Sequence, residues 1–103
     1  MPWLRLRKIT LEPAAAQAAA SYKAQFKRFE ECWTGLQWLL ARNPNPVDAN
    51  KTTISGTEYT LYGVEGDRHA DLPEIWAAYT YDDHEVLIRD VYATEAPRDE
   101  EES

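Results

Sequence analysis

The sequence predicts an α+β domain of order β-α-α-β-β-β, with two N-terminal helices packed on one face of a twisted antiparallel sheet. Three observations predict it. Near the N-terminus Leu4 and Leu6 alternate with Arg5 and Arg7, the period of a half-buried strand. Tyr22, Phe26, Phe29, Trp33, Leu36 and Leu40 are spaced 4, 3, 4, 3, 4, which lays one apolar stripe along a helical face. From Thr52 onward β-branched and aromatic residues take over, interrupted by short polar turns.

The first strand is expected over residues 3–11. Pro13 follows at a place where a helix can begin, because its missing N–H is not needed in the first turn. The run Ala14-Ala15-Ala16-Gln17-Ala18-Ala19-Ala20 has the highest helix propensity in the chain. Helix ends at Arg42-Asn43-Pro44-Asn45-Pro46, where two prolines forbid continuation. A straight helix over residues 13–42 would be roughly 45 Å long at 1.5 Å per residue. A globule of this size has a radius of gyration of only about 13 Å. Two helices folded on each other are therefore expected, with a break near residues 23–28. One unbroken helix in a coiled-coil dimer is the structural alternative, since no Gly or Pro marks that break.

The β region is read as Thr52-Thr53-Ile54 and Glu58-Tyr59-Thr60-Leu61-Tyr62 around a Ser55-Gly56 turn, then three or four antiparallel strands in all. A polar loop, Glu65-Gly66-Asp67-Arg68-His69, leads to a hairpin of residues 74–81 and 86–92 around Asp82-Asp83-His84-Glu85. Pairing Tyr81 with Val86 and continuing without interruption sets Ala77 opposite Asp90 and Ile75 opposite Tyr92. One face then gathers Ile75, Tyr79, Tyr81, Val86, Ile88 and Tyr92 as core. The other carries Trp76, Ala78, Thr80, Leu87, Arg89 and Val91. Asp90 fits poorly on the core face, a sign that register or edge position departs from this scheme.

A chain of 103 residues allows one domain, expected over residues 1–95, followed by a solvated, disordered acidic tail over 96–103. Apolar residues make up 44% of it, enough for a core, so wholesale disorder is excluded. No apolar run has the length of a membrane span or a secretory signal, so no membrane partner and a cytoplasmic location are expected. The single cysteine, Cys32, makes neither an internal disulfide nor a cysteine-based zinc site, and no cofactor or metal is implied. The net charge of −7 is uneven: residues 1–51 stand at +4 and residues 52–103 at −11. The second half would repel a nucleic acid at long range.

The order of elements resembles the RelE/ParE superfamily of small bacterial toxins over roughly residues 4–93. The best local matches are Leu39-Leu40-Ala41-Arg42-Asn43-Pro44 at the helix end and the hairpin segment from Pro73-Glu74-Ile75-Trp76 through Val86-Leu87-Ile88. The resemblance implies a toxin scaffold neutralised by a cognate antitoxin protein and directed at the ribosome and its messenger RNA, or at gyrase. Its nuclease branch relies on a cluster of Lys and Arg plus a Tyr or His near the last strand. In-line attack by a 2′-hydroxyl needs a proton acceptor, cations for the phosphorane and an acid for the leaving oxygen.

By that resemblance the catalytic candidates are Arg68, His69, Arg89 and Tyr92, and the binding candidates Trp76, Thr80 and Lys51. The ordinary readings stand beside them: Arg89 covering an exposed Trp76, His69 a solvated loop histidine, Tyr92 a packed core ring and Cys32 a small buried hydrophobe. The basic cluster has thinned to Arg68 and Arg89 amid Asp67, Asp71, Asp82, Asp83 and Asp90, and acidic Leu72-Pro73-Glu74 precedes the hairpin. The leading expectation is therefore a toxin-family scaffold that acts by protein binding, with nuclease activity weak or lost. The alternatives are an active ribosome-dependent endoribonuclease and a dimeric interaction module, unrelated to toxins, built on the helical stripe. Arg5, Arg7, Lys8, Lys23, Lys27 and Arg28 form the one basic region, a solvated face or a dock for an acidic partner.

Overall fold

The computed structural model describes residues 6–95. The acidic tail over 96–103 and the start of the first strand at residues 3–5 lie outside the described residues. The elements run β1 (Lys8–Leu11), α1 (Pro13–Gln25), α2 (Phe29–Arg42), β2 (Asn50–Ile54), β3 (Thr57–Val64), a single 3-10 turn at Arg68–Ala70, β4 (Glu74–Tyr81) and β5 (Glu85–Thr94). They build an α+β fold with a five-stranded sheet in the order β1-β5-β4-β3-β2. Four strands follow the helices, and β2 to β5 form an antiparallel meander. β1 joins the far side of β5 in parallel, so the sheet is mixed rather than wholly antiparallel. Alternation in a strand records which face is buried, not the direction of its neighbour, which is why the sequence was silent on this point.

The first strand also begins later than its leucines suggest. Ile9 and Leu11 turn toward the core, whereas Leu6 is 45% exposed. Before β1 the chain is diverted to α2: the Arg7 N–H donates to the Ala41 carbonyl at 2.9 Å, and only Lys8 donates to His84 beside β5. Leu6 is thus out of phase with the buried side of the strand that forms.

Pro13 opens α1 at its first turn, as expected, and the helix stops where the Phe26 N–H bonds the Tyr22 carbonyl. Phe26 itself is extended, and α2 restarts at Phe29. There is no single rod over residues 13–42. The break contains neither Gly nor Pro; packing holds it instead. Tyr22 on α1 meets Phe29 on α2 with ring centroids 5.9 Å apart, and Arg28 at the junction donates through Nη1 to the Ala70 carbonyl at 2.7 Å. The stripe is spent on the sheet: Phe29, Trp33, Leu36 and Leu40 are buried against Ile75, Tyr79, Val86 and Ile88. Fully burying each of these side chains stabilises the fold by about 1.5–3 kcal/mol relative to exposure.

The β2–β3 hairpin turns on Ser55 and Gly56, with φ of 52° and 81°. Positive φ at both central positions is the geometry that twists a two-residue turn with its strands, and Gly56 adopts it without steric cost. The hairpin of β4 and β5 begins in the expected register, Tyr81 with Val86 and Tyr79 with Ile88. It then shifts: Ala78 pairs with Asp90, Ala77 with Val91, Trp76 with Tyr92 and Ile75 with Ala93. Arg89 is the extra residue of a β-bulge. The bulge removes Asp90 and Tyr92 from the core face and puts Val91 there. Val91 is 1% exposed and Tyr92 47%, the reverse of the uninterrupted pairing. Tyr81, at the hairpin end beyond the helices, is likewise exposed rather than core.

Candidate functional site: the open face of the sheet

The helices cover one side of the sheet and leave the other open. By strand alternation the open side carries Thr52 and Ile54 of β2, Leu61 and Gly63 of β3, Trp76, Ala78 and Thr80 of β4, and Leu87, Asp90 and Tyr92 of β5. Across its middle runs a hollow of about 270 Å³ lined by Thr52, Ile54, Leu61, Trp76, Ala78 and Tyr92. Its floor is low because Ala78 has only a methyl group there, and it is fully buried.

The two aromatic walls are held in place. Trp76 lies directly over Gly63, its cross-strand partner: a Cβ on Gly63 would come within 2.3 Å of the indole. Only glycine permits that approach, so Gly63 serves here by absence of a side chain. The indole Nε1 donates to the Glu74 carboxylate at 2.6 Å. Tyr92 stands across from Trp76 and donates through its hydroxyl to Asp90 Oδ2 at 3.0 Å. That hydrogen bond, with a lesser contribution from burial, holds the Tyr92 phenol above its ordinary pKa, so the ring stays neutral. Asp90 also accepts the Val91 N–H at 3.0 Å.

Tyr92 apart, the candidate catalytic residues do not line this hollow. Arg89, at the bulge, ion-pairs through Nη1 with Glu12 at the start of α1, 3.3 Å away. Arg68 sits on the 3-10 turn and reaches Glu95, just past β5, at 3.2 Å. His69 is exposed on the same turn, and its N–H is fixed by the Asp67 side chain at 3.0 Å. Lys51 lies on the other side of the sheet, its Nζ donating to the buried Thr60 hydroxyl at 3.1 Å. With Thr80 it borders a separate depression of about 320 Å³ at the sheet end. Of the residues singled out from sequence, the fold brings Trp76 and Tyr92 together at the hollow, and Lys51 and Thr80 at the sheet end.

Among the described residues that line the hollow Tyr92 alone is ionisable, and its hydroxyl donates to Asp90. What the arrangement offers is apolar surface with two carboxylates beside it. Leu61, Ile54 and Gly63 were missed as site residues. The signal that marks them is the cross-strand pair of Gly63 with Trp76, which needs the β3–β4 register to be seen.

A second groove, about 300 Å³, runs between α2 and β1 and is lined among others by Leu6, Ile9 and Trp38. None of the candidate residues borders it. Cys32 is half-buried, and burial raises its thiol above the ordinary pKa, which disfavours the reactive thiolate. No helix among the described residues is long and apolar enough to cross a membrane. No protein-family model, curated protein or solved structure matches the chain.

Proposed function

We propose that this chain is a protein-binding module whose working surface is the open face of its sheet. On this reading it is a RelE/ParE-like scaffold of a cytoplasmic toxin–antitoxin system. It acts on or through protein partners, a cognate antitoxin among them, and its nuclease activity is weak or lost. The order of a strand, two helices and an antiparallel meander supports the scaffold half of this reading. The observation that carries the binding half is the hollow between Trp76 and Tyr92. It is an apolar recess on a half-covered sheet, where a side chain from another protein can be desolvated.

The same geometry speaks against phosphodiester cleavage. Stabilising a phosphorane needs cations converging on one point. Here Arg89 is turned to Glu12, Arg68 to Glu95, and Lys51 is on the opposite side of the sheet.

Inducible expression in a bacterium tests the reading. Wild type should slow growth while transcripts remain intact. Leu61→Asp, which places a charge in the hollow, should relieve the effect, and the Arg68→Ala, His69→Ala, Arg89→Ala combination should leave it in place. Transcript cleavage that the triple substitution abolishes would establish the ribonuclease instead. Unimpeded growth with abundant soluble wild-type protein would remove the toxin scaffold.

A further inference from the structure

We infer that the hollow selects a basic polypeptide segment, one that presents an aliphatic side chain flanked by Lys or Arg. This inference rests on the protein-binding reading of the same surface and names the chemistry of its partner.

Two independent features of the face converge on that choice. The recess itself is walled by Ile54, Leu61, Trp76 and Tyr92, which offers apolar contact to an aliphatic group. Beside its aromatic walls stand two carboxylates, Glu74 and Asp90. Their described hydrogen-bond donors are neutral: the Trp76 indole for Glu74, and the Val91 N–H and Tyr92 hydroxyl for Asp90. Hydrogen bonds of this kind orient a carboxylate without cancelling its charge, and each keeps lone pairs for another donor. Arg89, next to Asp90 in sequence, has its guanidinium engaged with Glu12.

Trp76 adds a third attraction. One face of its indole is laid on Gly63, and the ring also walls the hollow. A guanidinium or ammonium placed over an indole face is attracted by the ring quadrupole. A segment with an aliphatic residue in the hollow and cations to either side therefore meets complementary chemistry at each position. An acidic segment would meet two like charges. The bias extends across the molecule, because residues 52–95 carry a net charge of −8 and would steer a basic partner to this half.

The test is a titration of the isotopically labelled full chain, followed by amide and indole NMR shifts, with three short peptides. The first has the core Lys-Gly-Leu-Gly-Lys, the second replaces both Lys by Glu, and the third replaces Leu by Gln. The first peptide should move the resonances of Thr52, Ile54, Leu61 and the Trp76 indole. It should bind about tenfold more tightly than either counterpart and weaken as salt is raised. In the Glu74→Gln, Asp90→Asn double variant, which keeps acceptors for both aromatic rings, that advantage over the Glu peptide should vanish. Equal binding of the Lys and Glu peptides in the hollow overturns the basic preference and leaves the protein-binding reading standing. Shifts by the Lys peptide confined to other acidic sites, such as the Asp82–Asp83 turn, overturn the assignment to this hollow. If none of the three peptides moves the hollow resonances, both readings fall. Leu61→Ala, checked for folding by circular dichroism, should lose binding of the first peptide while retaining the native spectrum.

Discussion

Tyr79 and Asp82 lie three residues apart at the end of β4 and show two ways in which one side chain fixes a chain reversal. Tyr79 is fully buried, and its hydroxyl donates to the Pro44 carbonyl at 2.6 Å, tying the sheet to the proline-bounded loop after α2. Burial drives its phenol well above the ordinary range, so it remains a donor at any pH the fold meets. Asp82 is exposed and acts through charge. Its Oδ1 accepts the N–H groups of His84 at 2.7 Å and Glu85 at 2.8 Å, closing the hairpin turn. Those two backbone hydrogen bonds favour the ionised carboxylate and lower its pKa. A folded-state pKa below the unfolded one adds stability above the unfolded value, about 3.9 for Asp, and that stability disappears as pH falls through the folded value. Asp82→Asn keeps an acceptor oxygen but cannot titrate. Thermal unfolding followed from pH 7 down to pH 2 should show a flatter acid limb in the variant than in wild type. Identical acid limbs would mean that the turn draws nothing from the ionised carboxylate.

The bulge in β5 decides the site at the scale of the element. The hydrophobic alternation of β4 could be read directly, and so could the half of β5 before Arg89. Beyond it, Asp90 on a buried face was the only warning, because the pattern Ile88-Arg89-Asp90-Val91 fits either a slipped register or one extra residue. Pairing then resolves what periodicity could not, and Tyr92 moves from core to the wall of the hollow. The helical break was legible for a different reason. Its existence followed from chain length against globule size, although the residues at Phe26–Arg28 carry no local stop signal. The β1 pairing was not legible at all, since four residues of alternation carry no information about a parallel partner. The bulge makes a specific forecast. Deleting Arg89 leaves Ile88, Asp90 and Val91 in ordinary alternation, so every other β5 side chain keeps its face. The variant should lose the Glu12 ion pair, worth no more than about 1 kcal/mol at this half-exposed position, together with the local bend. Deleting Leu87 instead would turn Ile88 away from the core. Near-ultraviolet circular dichroism should be retained in the first deletion and lost in the second; the opposite order would contradict the bulge.

For the whole molecule, charge and packing divide the labour between the two halves of the chain. The helices consume the apolar stripe in the core, so Phe29, Trp33, Leu36 and Leu40 are not free to form a coiled-coil seam, and any self-association must use other surfaces. Much of the positive charge of the first half is spent locally: Lys23 pairs with Glu30, Arg28 with Glu31, and the Arg7 guanidinium donates to the Asp82 carbonyl. Most of the open face belongs to the acidic half, residues 52–103 at −11, while β1 of the first half adds Lys8 and Thr10 at its edge. Non-specific affinity for nucleic acid comes from cations displacing condensed counterions, and basic binders reach dissociation constants of roughly 10⁻⁴–10⁻⁶ M at physiological salt. A face whose arginines are ion-paired and whose central recess lies beside two carboxylates has little to release. Fluorescence anisotropy with a labelled single-stranded RNA of about 20 nucleotides at about 0.15 M salt should therefore show no binding up to about 100 μM protein. Binding in the micromolar range with a steep inverse dependence on salt would locate a phosphate-tracking surface on the chain. The acidic open face would then be secondary to it.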